Sequence, residues 1–437
     1  MKVSTMRNVD FYVGIPLCFV GTLTKKVFSL FARRSVKDRP KNVLFIELSE
    51  MGSTILVDPA MQKLKREVPE SQLFFAIFES CEPSLYLLNT IQRENVFTIR
   101  DRNIPVLALD TLRFLLWARR RRIDTVVDLE LFSRFTALLT GFCGARNVIG
   151  FYPFNHEGLY RGNFLTHRVG YNPHIHVSKN FVALVHALLA QKAELPFSKI
   201  QISDEDVRLR KVTITEHQRE EVRAIVRWVY PAYTPERNRI VLVNPNASEL
   251  LPQRRWMPEH FSELIRKILA EHQDVLVLLT GAPSEKEQAE RLRISTGSER
   301  CINFAGEVKF TQLTSLYDIS LFMITNDSGP AHFASVTRMP TYVLFGPETP
   351  ALYGSLGETT PIYAALACSP CVAATNHRKT PCRDNVCLQV IRPAGVYQVV
   401  KPALEARTAQ VEQPLATGLP LGFSHRIRAV ELAKSDA

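Results

Sequence analysis

Short apolar runs alternate with helix-length amphipathic stretches along most of this chain, and that alternation restricts its fold more than any other feature. Asn42 to Leu48, residues 72–78 and 96–99, Ile123 to Leu129 and Asn147 to Phe151 have the length of buried strands. Helices are expected from the polar turn after the first strand to about Val68, and over 106–120 and 132–142. The pattern then recurs, with strands at 239–244, 274–280, 301–304, 319–325 and 341–345 and helices at 258–271, 284–294, 311–317 and 330–337. Strands that take turns with helices form parallel sheets covered on both faces. The expected fold class is therefore α/β, with two Rossmann-like doubly wound domains.

The punctuation suggests boundaries. Residues 1–36 read as an interfacial N-terminal extension, 37–193 as the first domain, 194–238 as a linker, 239–407 as the second domain and 408–437 as a poorly specified tail. The linker carries Pro196, Pro231 and Pro235 around a charged helix, Glu216 to Tyr230. Residues 152–180 hold His156, Tyr160, Arg161, His167, His174 and His176 without clear periodicity, and read as a long loop, either functional or merely solvated.

Composition narrows the partners. The chain has 437 residues and a formal charge of +11, which favours acidic partners such as phosphorylated substrates or an anionic membrane surface. Cations stand beside apolar residues in Lys25 to Arg34 and in Phe114 to Arg122, a combination suited to a bilayer surface or to a solvated helix face. Phe11 to Thr24 is uncharged but is too short, and interrupted by Pro16, to cross a bilayer as a helix. The eight cysteines are too scattered for a secreted disulfide scaffold, and a reducing cytosol is the expected compartment.

The stretch Leu321 to Gly354 carries the strongest local signal. An apolar run breaks at Asn326-Asp327-Ser328-Gly329 into a helix opened by Pro330, and a second run, Thr341 to Phe345, ends at Gly346-Pro347. Two strand ends would lie side by side, on the edge where open parallel sheets bind ligands. Backbone N–H groups of Gly329, Ala331 and His332, with the side chains of Ser328 and His332, would suit an anion. The competing reading is an ordinary helix cap by Asp327 or Ser328, with His332 half-buried.

NDSGPAHFASVTRMPTYVLFGPETPALYG resembles the C-terminal signature of the heptosyltransferase family, glycosyltransferase family 9, whose members build the lipopolysaccharide core. NVLFIELSEMGSTILVDPAMQKLKREVP at 42–69, VNPNASELLPQRRWMPEHFSELI at 243–265 and LLTGAPSEKEQAE at 278–290 resemble it in the same order. The resemblance covers roughly residues 42–400 and implies a GT-B arrangement, with the active site in a cleft between the domains. It implies acceptor recognition by the 152–180 stretch and a final helix, near Ala394 to Glu405, packing back on the first domain. It further implies a nucleotide-sugar donor, plausibly an ADP-heptose, and a lipid-linked glycan acceptor.

The resemblance places the donor on Asn246, Ser248, Arg254, Glu285, Asp327, Ser328, Gly329, Pro330 and His332, with Arg254 on the phosphates and Glu285 on the ribose hydroxyls. An arginine fork is chemically suited to a diphosphate, and Trp256 beside it reads as core. Typical members carry their presumed base as the aspartate of a small-x-x-Gly-Asp loop. Here Ser49-Glu50-Met51-Gly52-Ser53 has Ser53 in that place, and a serine hydroxyl is too weak a base at neutral pH. Glu50 on the same loop, or Glu130 at the end of the 123–129 strand, is left to take the proton; Asp128 would lie further back. Glu130 has a structural alternative as a partner of Arg134.

Asp204-Glu205-Asp206 matches D-x-D but falls behind Ser203 at a helix start, so it reads as capping and no catalytic metal is expected. Cys368, Cys371, Cys382 and Cys387 have spacings that could close a structural zinc site, or could be buried or redox-reactive thiols. The expected function is thus an inverting, metal-independent glycosyltransferase, needing no cofactor and binding no nucleic acid, peripheral to the inner face of the cytoplasmic membrane. The alternative is a nucleotide-sugar or glycan-binding module that has lost its base.

Overall fold

The computed structural model describes residues 3–29, 39–154, 158–249, 251–373 and 376–406. His156, the Phe31 to Arg34 part of the basic cluster and the 408–437 tail lie outside the described residues. The chain divides into two compact units, the first formed by Met1–Arg208 with Ala373–Arg378 and the second by Leu209–Val372 with Lys379–Ala437.

The first unit holds strands β1 (Asn42–Ile46), β2 (Gln72–Phe78), β3 (Val96–Ile99), β4 (Thr125–Asp128), β5 (Asn147–Phe151) and β6 (His167–Val169). Their order is β3-β2-β1-β4-β5-β6 and every pairing is parallel. The second unit holds β7 (Arg239–Asn244), β8 (Val275–Leu279), β9 (Cys301–Asn303), β10 (Phe322–Asn326), β11 (Thr341–Phe345) and β12 (Thr359–Tyr363), ordered β12-β11-β10-β7-β8-β9, again all parallel. Read from the other end, this is the first order repeated. In each sheet the first and fourth strands are neighbours, and the chain leaves them in opposite directions. That creates a crevice beyond their carboxyl ends, where such sheets take ligands.

Both sheets are apolar on both faces because helices cover both. In the first unit Leu44, Ile46, Phe74, Ala76 and Val126 pack with Phe114 and Ala118 of the helix Ile104–Arg120. In the second, Val241, Val243, Val277 and Leu279 pack with Phe261, Leu264, Ile265 and Ile268 of the helix Pro258–Glu271.

The elements depart from expectation in several places. The 152–180 stretch is not all loop, since it contains β6 and the start of the helix Val177–Leu189, capped by His176, whose Nδ1 accepts from the Ser178 N–H at 3.2 Å. A three-residue strand is too short to show a period. Strand β12 was hidden by Pro361, which the sheet tolerates because β12 is an edge strand. The final helix, Pro393–Glu405, packs within the second unit: Val396, Tyr397, Val400 and Leu404 are buried with Ile265, Ile268 and Leu269, and the Tyr397 hydroxyl donates to Glu271. That helix therefore completes the core of its own unit.

Two helices precede β1, α1 (Val3–Tyr12) and α2 (Gly14–Ser29). After β1, α3 (Met51–Leu56) and α4 (Asp58–Glu67) replace the single expected helix, because Pro59 has no N–H to give and crowds the preceding turn.

The first unit has one polar staple with a measurable signature. Asp110, buried in the helix Ile104–Arg120, accepts from Arg100 N, Nε and Nη2 at 3.0, 2.8 and 2.7 Å. These bonds hold its carboxyl well below the usual carboxylate range. Such a group adds stability above its unfolded pKa of about 4 and loses it as pH falls through and below that value. Asp110→Asn is expected to lower the thermal midpoint by several degrees at pH 7, with the gap to wild type closing as pH drops below about 4.

Candidate functional site

At the crevice of the second sheet, β7 and β10 end in Asn244 and Asn326, and their loops are tied together by one buried side chain. The Asn326 carboxamide donates from Nδ2 to the Pro245 carbonyl at 2.8 Å and accepts from the Trp256 N–H at 3.0 Å. Trp256 is itself core, as expected, with Nε1 donating to the Ile391 carbonyl at 2.9 Å. A rigid seat results, on which Asn246, Arg254, Asp327 and Ser328 are held.

Arg254 and Arg255 divide the work expected of a fork. Arg255 turns back on its own loop, donating from Nη2 to the Ala247 carbonyl at 2.7 Å. Arg254 turns inward, its side chain 11% exposed, with Nη1 at 3.3 Å from Glu348 Oε2 and 3.8 Å from Asp327 Oδ2. Its Nε is buried with no hydrogen-bond partner. Asn246 is also buried, and neither the Nδ2 nor the Oδ1 of its side chain has a partner. Leaving a buried amide unbonded costs roughly 1–3 kcal/mol, so such a group in a strand-end crevice makes the place a candidate for a ligand or an ordered water to complete the bonding.

Glu285 lies near by, because a Cβ added at Gly281 would sit 2.9 Å from both Asn246 Nδ2 and Glu285 Oε2. Glu285 Oε2 accepts from the Ala282 N–H at 2.6 Å and so closes the turn Pro283–Glu285. Ser248 is exposed on the β7 loop. The helix opened by Gly329 and Pro330 runs only from Gly329 to Ala334, so its dipole is short and the recognition falls to side chains. Ser328 makes no side-chain cap bond; its hydroxyl donates to the Asn326 carbonyl at 3.2 Å. His332 is buried in the same helix.

The corresponding crevice of the first sheet is acidic. Glu47, Ser49 and Glu50 follow β1, and Asp128 and Glu130 end β4. Glu130 Oε1 accepts from the Leu48 N–H at 3.2 Å and from the Ser49 hydroxyl at 3.5 Å, which fixes its carboxylate against the β1 loop. Burial raises the Glu130 pKa, and the Glu50 carboxylate adds to the rise. Glu47, 4% exposed, also has its pKa raised, first by its own burial and then by the charge of Glu130. Ser53 donates from Oγ to Glu50 Oε2 at 3.2 Å, and the other oxygen of Glu50 takes Arg378.

Asp128 is fully buried and ion-paired with Arg161, whose Nε donates to the Ser133 carbonyl at 2.8 Å and whose Nη2 also reaches Thr136 Oγ1 at 2.9 Å. Arg161, from the stretch expected to be loop, is thus a counter-ion that locks the end of β4. The suggested Glu130 to Arg134 pair is not formed. Arg134 is taken by Asp10 of α1, at 3.0 Å, and by the Tyr160 carbonyl, at 2.9 Å.

The acids of the D-x-D run are engaged locally, Asp204 by Lys179 at 2.8 Å and Asp206 by the Ser203 hydroxyl at 2.7 Å. Among the described residues, no group of three or more His, Cys, Asp or Glu side chains is arranged to hold a metal ion. Cys371 donates to Thr380 at 3.5 Å and Cys382 to Asp384 at 3.2 Å; Cys368 is exposed, and burial raises the Cys387 thiol to about 11.

Sequence reasoning missed Glu348, Asn326 and Glu47. Glu348 had one signal, its position just past Gly346-Pro347 at the end of β11.

Two Rossmann-like units of one topology, each with its polar groups gathered where the first and fourth strands end, define the GT-B fold class. The family described as glycosyltransferase family 9 (heptosyltransferase) matches residues 119–380, and the chain belongs to it. A segment of 106 residues is 31% identical to lipopolysaccharide heptosyltransferase 2 of Salmonella typhimurium, covering 24% of this chain and 30% of that one. The match thus spans less than a third of that relative's length. The lipopolysaccharide core heptosyltransferase OpsX of Haemophilus influenzae is 21% identical over 338 residues, 75% of this chain and 86% of the relative. Among solved structures, the E. coli ADP-heptose lps heptosyltransferase II superposes with a TM-score of 0.63 at 18% identity, over 83% of this chain and 98% of that one. The E. coli heptosyltransferase WaaC with ADP gives 0.56 at 17% identity, over 83% and 99%.

Proposed function

We propose that this chain is an inverting, metal-independent heptosyltransferase, moving a heptose from an ADP-sugar to a lipid-linked glycan of the lipopolysaccharide core type. The observation that carries the donor half is the buried Asn246 side chain, unsatisfied beside Arg254 at the β7 and β10 ends. The solved E. coli heptosyltransferase WaaC structures with ADP and with ADP-2-deoxy-2-fluoro heptose support the choice of donor. The partners in this reading are that donor, the glycan acceptor and an anionic membrane surface at the cytoplasmic side.

In the reaction, an acceptor hydroxyl oxygen bonds to the anomeric carbon from the face opposite the diphosphate, its proton passes to a carboxylate, and ADP leaves. Glu130 is the base we assign. Its raised pKa and fixed carboxylate suit proton transfer better than Glu50, which faces the Arg378 cation. Charge on the departing diphosphate is met by Arg254 and by the Asn246 amide.

Ser53 gives a second reading its own support, because the family's aspartate is missing there and a donor-binding module without turnover would need no base. A thermal-shift panel of nucleotide sugars, followed by turnover in EDTA, tests both. The donor should add about 2.7 kcal/mol of stability at 100 times its Kd, and turnover should survive the chelator. A shift without turnover on any glycan acceptor selects the binding module. Activity lost to EDTA and restored by magnesium would overturn metal independence and bring Asp204 and Asp206 back.

A further inference from the structure

The N-terminal helices leave a large apolar face without cover on the first unit. One side of α2 is seated: Gly14, Cys18 and Gly21 are buried at helical spacing. A Cβ added at Gly21 would come within 2.9 Å of Phe164 and 3.0 Å of Phe142, and one at Gly14 within 2.9 Å of Arg134. The other side of α2 shows solvent Leu17 at 48%, Phe19 at 63%, Val20 at 54% and Leu23 at 56%, and the end of α1 adds Phe11 at 52% and Tyr12 at 73%. Soluble proteins seldom expose so many large apolar side chains together without a partner for them.

A second exposed apolar stripe lies on the helix Ile104–Arg120, whose Leu107 and Leu115 pack against the same core as Met6 of α1. Leu109, Leu112 and Leu116 form this stripe, and Arg119 at the end of the helix donates from Nη2 to the Phe142 carbonyl at 3.0 Å, next to α2. Charge identifies the occupant. The only carboxylate in residues 3–29 is Asp10, and it is turned inward on Arg134, whereas Arg7, Lys25 and Lys26 and the run Arg119 to Arg122 flank the apolar residues. No described helix is long and apolar enough to cross a membrane. Apolar helices rimmed by cations, too short to span, suit the plane of a negatively charged lipid surface.

We propose that α1, α2 and the Leu109 to Leu116 stripe form one docking surface for an anionic lipid leaflet. The proposal rests on the reading that the acceptor is lipid-linked, and gives that reading a place on the molecule.

The test is sedimentation of the full chain with phosphatidylcholine vesicles, with and without phosphatidylglycerol. Wild type should bind the anionic vesicles and release in high salt. Phe19→Glu with Leu23→Glu should bind at least about tenfold more weakly, and Leu112→Glu with Leu116→Glu should weaken binding in the same direction. All four side chains face solvent, so ADP-induced thermal shifts and turnover on a delipidated acceptor fragment should stay at wild-type levels. Vesicle binding unchanged in both double variants overturns the proposal. So does a wild-type dimer, seen by light scattering, that the same substitutions convert to monomer, since a second copy would then be the occupant. If no nucleotide sugar shifts or turns over in any variant while the vesicle results hold, the transferase reading fails and the docking surface stands.

Discussion

Glu130→Gln should lower turnover at least about 100-fold and leave the affinity for ADP within about twofold of wild type. The expectation follows from geometry before electrostatics. The Leu48 N–H and the Ser49 hydroxyl hold one carboxylate oxygen, the side chain sits at the end of β4 in the ligand-binding crevice, and fixed groups make the better catalysts. Glutamine keeps the shape and loses the basicity. Because burial raises the Glu130 carboxyl, its protonated form persists to higher pH than for a free glutamate, at about 4.3. Only the ionised form accepts a proton, so kcat/KM should fall as pH drops through that raised value, and the acid limb should lie above pH 4.3. Glu50→Gln should cost far less. Normal rates in both glutamine variants would remove the carboxylates from the mechanism. Activity appearing only in Ser53→Asp would mean that the natural chain has given up catalysis.

Asn246→Ala and Arg254→Ala should each weaken ADP binding roughly 10- to 100-fold, by calorimetry. For Asn246 the argument is direct, since among the described residues its buried side-chain amide has no hydrogen-bond partner. Arg254 has a second consequence. Its guanidinium stands 3.3 Å from Glu348 and 3.8 Å from Asp327, and removing it takes a cation from beside two buried carboxyl groups. Arg254→Ala should therefore also destabilise the second unit by about 3 kcal/mol, whereas Asn246→Ala should be neutral or slightly stabilising. Wild-type ADP affinity in both would move the donor elsewhere.

Much of this was written into the local sequence. Each strand that ends in a polar loop could be read from an apolar run and its breaker, and the residues at the ends of β4, β7 and β10 fell where they were expected. Glu130 was found because it follows an apolar run by one residue. Local pattern failed where partners are distant. Glu348 is buried by an arginine 94 positions away, and Arg134 is claimed by Asp10, 124 positions earlier, from a helix with no heptad or capping signal to announce its seat. The missed strands β6 and β12 are edge strands, one only three residues long and the other interrupted by proline, and both are held by pairing rather than by their own propensity.

The Asn326 side chain joins the loops after β7 and β10 through bonds that are all buried. Neither loop can therefore fray alone. To let the Trp256 amide exchange with solvent, the protein must release the indole from the core and break the link to β10 in the same event. The proposed donor seat, although built of loops, is thus expected to open together with the core of its domain. In the proposed function, a nucleotide arriving there would meet a surface whose ordering entropy was lost when the chain folded, and little of its binding energy would have to go into shaping the site.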